Sequence, residues 1–263
     1  MQPDKRPLEL ADRAMGLEHR PRRRQLAGTI TAPAGLVEEA PSASPPIIPR
    51  PSGPLASLPL PNHQGDAAAA LQALRQRHDA ECPHCTTATG HTQTVFGEGD
   101  PQASLMFIGE APGETEDRTG RPFVGRAGEK LEEMIRAMGL GRERVYIANV
   151  LKSRPPDNRT PLEHEVQACG PYLIEQILLI RPKVLVTLGG PATKLILGTD
   201  VGITRLRGIW AEWHPPAGRG DPIPVLPTYH PAYLLRNYTP KTRGEVWQDL
   251  QKVMDKLGLR RAK

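Results

Sequence analysis

Three groups of residues in this 263-residue chain have types and spacings that can do chemistry. The first is Gly109-Glu110-Ala111-Pro112-Gly113. It follows the apolar run Leu105-Met106-Phe107-Ile108 and leads through Glu116 and Asp117 to Gly120-Arg121-Pro122-Phe123-Val124-Gly125. Glycine and proline after a short apolar run mark the end of a buried strand, and an open α/β sheet places its ligand pocket at such ends. A tight turn that needs glycine for positive φ would carry the same letters. The second group is Thr228-Tyr229-His230-Pro231-Ala232-Tyr233-Leu234-Leu235-Arg236, which again follows an apolar run. Two strand ends, each carrying polar residues and a proline, point to one shared site. The third group is a Cys-x-x-Cys pair, Cys82 and Cys85, with Cys169 far downstream. In an intracellular protein such a set reads as a metal or cluster site rather than a disulfide framework.

The elements that must position these groups show in the hydrophobic pattern. Four runs read as strands: Leu105–Ile108, Val145–Val150, Lys183–Leu188 and Ile223–Thr228. Between them lie helical patterns. One covers residues 66–78 with Leu71 and Leu74 on its apolar side, and another runs from Ala127 through Leu131, Met134 and Ile135 to Met138, stopping near Gly139. A third begins at Thr160, with Pro161 in the first helical position and Glu163 three residues after the threonine, and continues through Val166, Cys169, Tyr172 and Leu173 to about Leu179. The last runs from about Arg243 to Leu257, with Val246, Trp247, Leu250 and Val253 on one face. Strands alternating with helices predict an α/β fold, a three-layer α/β/α sandwich around a central four-stranded parallel sheet. Glu110, Asn149 and His230 then all fall at carboxyl ends of strands, where the active groups of such a sheet sit.

Composition divides the chain. Residues 1–65 hold 12 of the 29 prolines and none of the aromatic residues, with a basic cluster at Arg20, Arg22, Arg23 and Arg24. Such a segment cannot bury enough apolar surface to offset its ordering entropy and is expected to be a disordered tail. The folded part, 66–263, is a usual size for one α/β domain. A net charge of +5 permits phosphate binding without requiring it. The chain shows neither a secretory signal nor an apolar run long enough to span a bilayer, so a monomeric cytoplasmic protein with no membrane partner is the expectation.

Taken together, the GEAPG turn, the Gly120-to-Gly128 segment GRPFVGRAG, the strand ending in Asn149, the Lys152-to-Arg159 segment KSRPPDNR and the HPAYLLR segment make five ordered matches. Over about residues 78–257 the chain resembles the uracil-DNA glycosylase superfamily, and specifically its family four, whose members carry an iron-sulfur cluster. That resemblance implies an enzyme that hydrolyses the N-glycosidic bond of uracil in DNA, leaves an abasic site and begins base excision repair.

An enzyme of that kind must take the base out of the duplex and stabilise it as it departs as an anion. The resemblance assigns Phe123 to stacking on the base, although a core phenylalanine under a loop would look the same. It makes Asn149 the uracil reader, since a carboxamide both donates and accepts. His230 becomes the donor to the departing uracil oxygen. The turn residues Gly109, Glu110 and Ala111 line the uracil pocket. In family one an aspartate stands at the place of Ala111, and alanine cannot be a general base. Water activation or charge balance then falls to Glu110 or Glu116, ahead of Asp117. Lys152, Arg154, Arg159 and Arg236 are the candidate DNA-phosphate contacts. Leu234 and Leu235 are the candidate wedge for the gap left by the flipped base, unless they begin a helix and pack inward.

The resemblance also sharpens the reading of the cysteines. A 4Fe-4S cluster takes four thiolates, and relatives supply the fourth from a KCRPP loop where this chain has Ser153. The cluster is expected on Cys82, Cys85 and Cys169, with Ser153 at the fourth position. A serine or other oxygen ligand, a labile or three-iron form, and absence are all open, with His84 a chemical substitute and zinc a weaker alternative. The motifs place no lysine for Schiff-base chemistry in the pocket. A covalent, DNA-trapping relative in the superfamily carries a histidine-bearing Arg-rich insert that this chain lacks. The rival to an enzyme is a DNA-binding module of the same fold that has lost catalysis; Ser153 favours it, and intact Phe123, Asn149 and His230 oppose it.

Overall fold

The computed structural model describes residues 66–216 and 220–259, so the tail expected over 1–65 lies outside the described residues. In chain order the elements are α1 (Ala67–Glu81), β1 (Glu98–Gly99), β2 (Leu105–Gly109), α2 (Glu114–Thr119), α3 (Arg126–Ala137), β3 (Tyr146–Asn149), α4 (Glu163–Ile180) and β4 (Val184–Leu188). They continue with α5 (Gly190–Leu197), α6 (Ile203–Leu206), β5 (Ala211–Trp213), β6 (Ile223–Thr228), α7 (Pro231–Arg236) and α8 (Pro240–Leu257). One sheet of order β1-β3-β2-β4-β6-β5 forms the middle layer.

Its four inner strands are parallel, as the apolar runs predict, but the sheet is six-stranded and mixed. β1 pairs antiparallel with β3 at one edge and β5 antiparallel with β6 at the other. These edge strands are two and three residues long, too short to show any period in the sequence. The inner strands are apolar on both faces because helices cover both. Met106 and Ile108 face one core with α1, α4 and α5, whereas Leu105 and Phe107 face the other with α3 and α8.

Helix starts follow local chemistry. The Asp66 side chain accepts from the Ala68 N–H at 2.9 Å to start α1, and Thr239 caps α8 by accepting from the Thr242 N–H at 3.1 Å, with Pro240 in the first helical position. The start expected at Thr160 is displaced to Glu163. Arg159 forms a two-pronged pair with Glu165 at 2.7 and 2.8 Å, and the same carboxylate accepts from the Leu162 N–H at 2.7 Å, so residues 160–162 stay extended. Leucines 234 and 235 lie in a helix, α7, which starts earlier than expected, at Pro231 after the His230 cap. No helix among the described residues is long and apolar enough to cross a membrane.

Register brings the strand ends level. Gly109 pairs with Asn149 across β2 and β3, and Leu188 pairs with Thr228 across β4 and β6. The end of β6 is tied from below: Asp249 of α8, 1% exposed, accepts from Thr228 Oγ1 at 2.7 Å and from Arg207 at 2.6 and 3.1 Å. Removing that carboxylate strands a largely buried guanidinium beneath the strand that carries His230. Asp249→Ala is expected to lower unfolding free energy by roughly 3–5 kcal/mol in urea titrations, with Asp249→Asn losing less because it keeps an acceptor.

Candidate active site

The turns after β2, β3 and β6 surround a cavity of about 410 Å3 at the carboxyl edge of the sheet, within the size range of small-ligand pockets. Glu110, Ala111, Glu116, Phe123, Asn149, Arg159, His230 and Arg236 all line it. The two segments that the sequence suggested should share a site do share one.

Gly109 is where the walls meet. A Cβ on it would fall 2.3 Å from Asn149 Oδ1 and 2.4 Å from Phe123 Cζ, closer than real side chains approach. Asn149 is 1% exposed, and among the described residues its Oδ1 has no hydrogen-bond donor. A buried carbonyl left in that state costs about 1–3 kcal/mol, which a ligand N–H would recover.

Phe123 is held in a backbone conformation unusual for its type, with φ 51. Three contacts keep it there. Arg142 donates to the carbonyls of Phe123, at 3.0 Å, and of Pro122. Gly128 leaves room, since a Cβ there would sit 2.0 Å from the Phe123 carbonyl carbon. Glu116 Oε1 accepts from the N–H groups of Val124 and Gly125 at 2.9 and 2.8 Å. Arg142 is in turn bound by Glu98, whose carboxyl is held down to about 2 by Arg121 and then, against burial, by Arg142. Sequence reasoning missed Arg142, and no signal marks it: it is one of two arginines in a short 3-10 turn.

His230 caps α7. Its Nδ1 accepts from the Ala232 N–H at 3.1 Å, which puts the ring proton on Nε2. Burial, then the charge of Arg236, pushes its pKa down to about 4, so the ring is neutral at pH 7. The Phe123 and His230 rings lie 5.6 Å apart between centroids. Of the three carboxylates, Asp117 turns away, accepting from Thr92 N–H at 2.8 Å, and Glu116 organises the Phe123 loop. Through Oε1 it positions that loop, while it also lines the cavity. The Glu110 carboxylate has no hydrogen-bond partner among the described residues, and burial raises its pKa.

Two expected DNA contacts are overturned. Lys152 is fully buried; its Nζ donates to the Asn149 carbonyl at 2.8 Å and to Gln176 Oε1 at 2.6 Å, so it steadies the Asn149 backbone and cannot meet a phosphate. Leu234 is 0% exposed in the core under α7 and cannot act as a wedge, whereas Leu235 is half-buried. Arg236 is exposed at the cavity rim. Arg159 lines the cavity while paired with Glu165. Arg154 donates to Asn158 Oδ1 at 2.8 Å, bracing a loop in which Asp157 and Asn158 both take φ 54.

On the far side of Lys152 the three cysteines converge, all buried. Cys169 Sγ lies 3.3 Å from Cys85 Sγ and 3.7 Å from Cys82 Sγ, and His78 joins them: one donor atom from each of the four residues lies within 4.8 Å of every other. Hydrogen bonds from Cys169 and Cys85 lower the Cys82 thiol, and Cys169 is raised by the same contacts. Burial works against charge on His78, but hydrogen bonds with Cys82, Cys85 and Asp79 outweigh it and lift the ring to about 9. Ser153 Oγ is 3.4 Å from Cys85 Sγ, and His84 Nε2 reaches it at 3.1 Å.

Sheet, cavity and polar groups define a pocket for a flat ligand whose edge both donates and accepts hydrogen bonds. A family profile described as the uracil DNA glycosylase superfamily matches residues 96–251. A type-4 uracil-DNA glycosylase of Thermotoga maritima is 46% identical over 174 residues, covering 66% of this chain and 88% of that protein. One from Sulfurisphaera tokodaii is 46% identical over 179 residues, covering 66% of this chain and 79% of that protein. A type-5 uracil-DNA glycosylase of Pyrobaculum aerophilum is 32% identical over 166 residues, covering 56% and 71%. The chain belongs to the uracil-DNA glycosylase superfamily, in its type-4 branch.

Because Gly109 has no room for a side chain, Gly109→Ala is expected to displace Phe123 and Asn149 while leaving the sheet intact. Base release should fall by about 100-fold, the order seen when reacting groups are misplaced by about 1 Å. The measurements are single-turnover release and circular dichroism, the latter expected to stay unchanged.

Proposed function

We propose that residues 66–263 release uracil from DNA by hydrolysing its N-glycosidic bond, leaving an abasic site and opening base excision repair. The observation that carries this reading is the orphaned, buried Oδ1 of Asn149. Uracil presents an N–H donor beside a carbonyl acceptor, which a fixed carboxamide complements. Cytosine presents the reverse and would leave the buried oxygen unpaired. Phe123 supplies the face on which the base lies. His230, neutral and with its proton fixed on Nε2, donates to the uracil oxygen that gains negative charge as the bond breaks. Glu110 is the carboxylate available to orient water or balance the sugar's positive charge, and among the described residues no lysine lines the cavity to form a Schiff base. Arg154, Arg159, Leu235 and Arg236 are the DNA-facing groups of this proposal.

Cys82, Cys85 and Cys169 supply three soft, buried ligands, a donor set that fits the iron-sulfur cluster expected of this branch. When bound, the cluster supplies a cross-link between the end of α1 and α4 and takes no part in bond breaking. A monomer working in the cytoplasm completes the reading.

On an oligonucleotide with a single uracil, the wild type is expected to release the base so that alkali cuts the strand there. His230→Ala should be slower by about 100- to 1000-fold, and Asn149→Ala should lose excision while retaining DNA binding. A folded wild type that binds DNA and releases nothing would sink the proposal and favour the non-catalytic module.

The pH profile tests Glu110 separately. Its carboxyl must be ionised to serve, and burial raises its pKa, so kcat/KM should fall with decreasing pH through a value above the ordinary 4.5. His230 protonates only near 4, below that limb. Glu110→Gln should be slow and lack the limb; a limb that persists unchanged in this variant would remove Glu110 from the mechanism.

A further inference from the structure

The thiol cluster has three cysteines, and its fourth ligand is the open question. Ser153 is the nearest replacement by position, yet its Oγ already sits between Cys85 Sγ at 3.4 Å and His84 Nε2 at 3.1 Å. A hydroxyl must also lose a strongly held proton before it binds a metal well, whereas a neutral imidazole binds iron or zinc without that step.

His78 meets the requirements of a ligand more closely. It lies in the last turn of α1, four residues before Cys82, which caps the helix, and their donor atoms converge with those of Cys85 and Cys169. It is 0% exposed, edge-on to Tyr172 at 4.8 Å between ring centroids. Its Nε2 faces Cys169 Sγ at 3.9 Å. Its Nδ1 meets Asp79 Oδ1 at 2.9 Å, and the same oxygen accepts from Thr94 Oγ1 at 2.7 Å. A carboxylate on one ring nitrogen fixes the tautomer that turns the other nitrogen's lone pair inward, the usual outer support of a metal-bound histidine. A histidine that merely filled the core would have no need of an anchored carboxylate behind it and three sulfurs in front.

We propose that His78 Nε2 is the fourth ligand of the metal centre formed by Cys82, Cys85 and Cys169, in the role that relatives give to a cysteine at the position of Ser153. The inference rests on the reading of the cysteines as an iron-sulfur site, and not on excision activity.

The test uses the full chain, reconstituted anaerobically with iron and sulfide and labelled with 15N-histidine. Iron per chain is measured, and pulsed electron paramagnetic resonance after cryoreduction reads nitrogen coupled to the cluster. The wild type, Ser153→Ala and His84→Ala should retain iron and the 15N coupling. His78→Ala should lose more than half of its iron, and His78→Cys, which restores a thiolate, should keep iron without the coupling. Iron-loaded wild type lacking 15N coupling would overturn the assignment, as would coupling that persists in His78→Cys or iron lost from Ser153→Ala alone. Wild type that takes up no iron would overturn the cluster reading, and this assignment with it.

Discussion

A side chain has nowhere to go at Gly109, and much of the site is arranged around that fact. With only a hydrogen between them, the end of β2, the amide of Asn149 and the ring of Phe123 come within contact distance. That closeness sets what the remaining residues must do. Phe123 reaches the spot only through a left-handed backbone, a conformation that costs on the order of 1–3 kcal/mol and persists where its surroundings enforce it. Arg142, Glu116 and Gly128 are those surroundings. Two are charged groups on carbonyls or N–H groups of the loop, and the third is an absence of bulk.

The same economy of space explains the carboxylates. Glu116 and Asp117 stand next to one another on α2, both buried, and both accept from backbone N–H groups of neighbouring loops. Glu110 alone faces the cavity without such a partner among the described residues. Three acids that look equivalent as letters are separated by what their oxygens touch.

Much of this was legible in the sequence. The inner strands announce themselves because both faces are covered, so their residues are apolar without alternation. Glu110, Asn149 and His230 fell where the topology of a parallel sheet puts active groups. The edge strands were not legible, being held by pairing with β3 and β6 rather than by their own side chains. Nor was the fate of Lys152: a lysine beside a Pro-rich loop reads as a surface cation, and its partner Gln176 is 24 residues away. The shift in the start of α4 has a similar cause, since the Arg159–Glu165 pair outcompetes a good local signal at Thr160. His78 was overlooked because a histidine on an amphipathic helix is ordinary; its spacing of four from Cys82 was the one available hint.

Lys152 touches both halves of the molecule's chemistry. Its backbone N–H donates to Cys169 Sγ at 3.4 Å, and its side chain holds the carbonyl of Asn149. Thermodynamic coupling between two sites is reciprocal. A metal held by the cysteines and a base held at Asn149 would therefore bear on one another through this one buried side chain, each favouring the other to the extent that it orders residues 149–153.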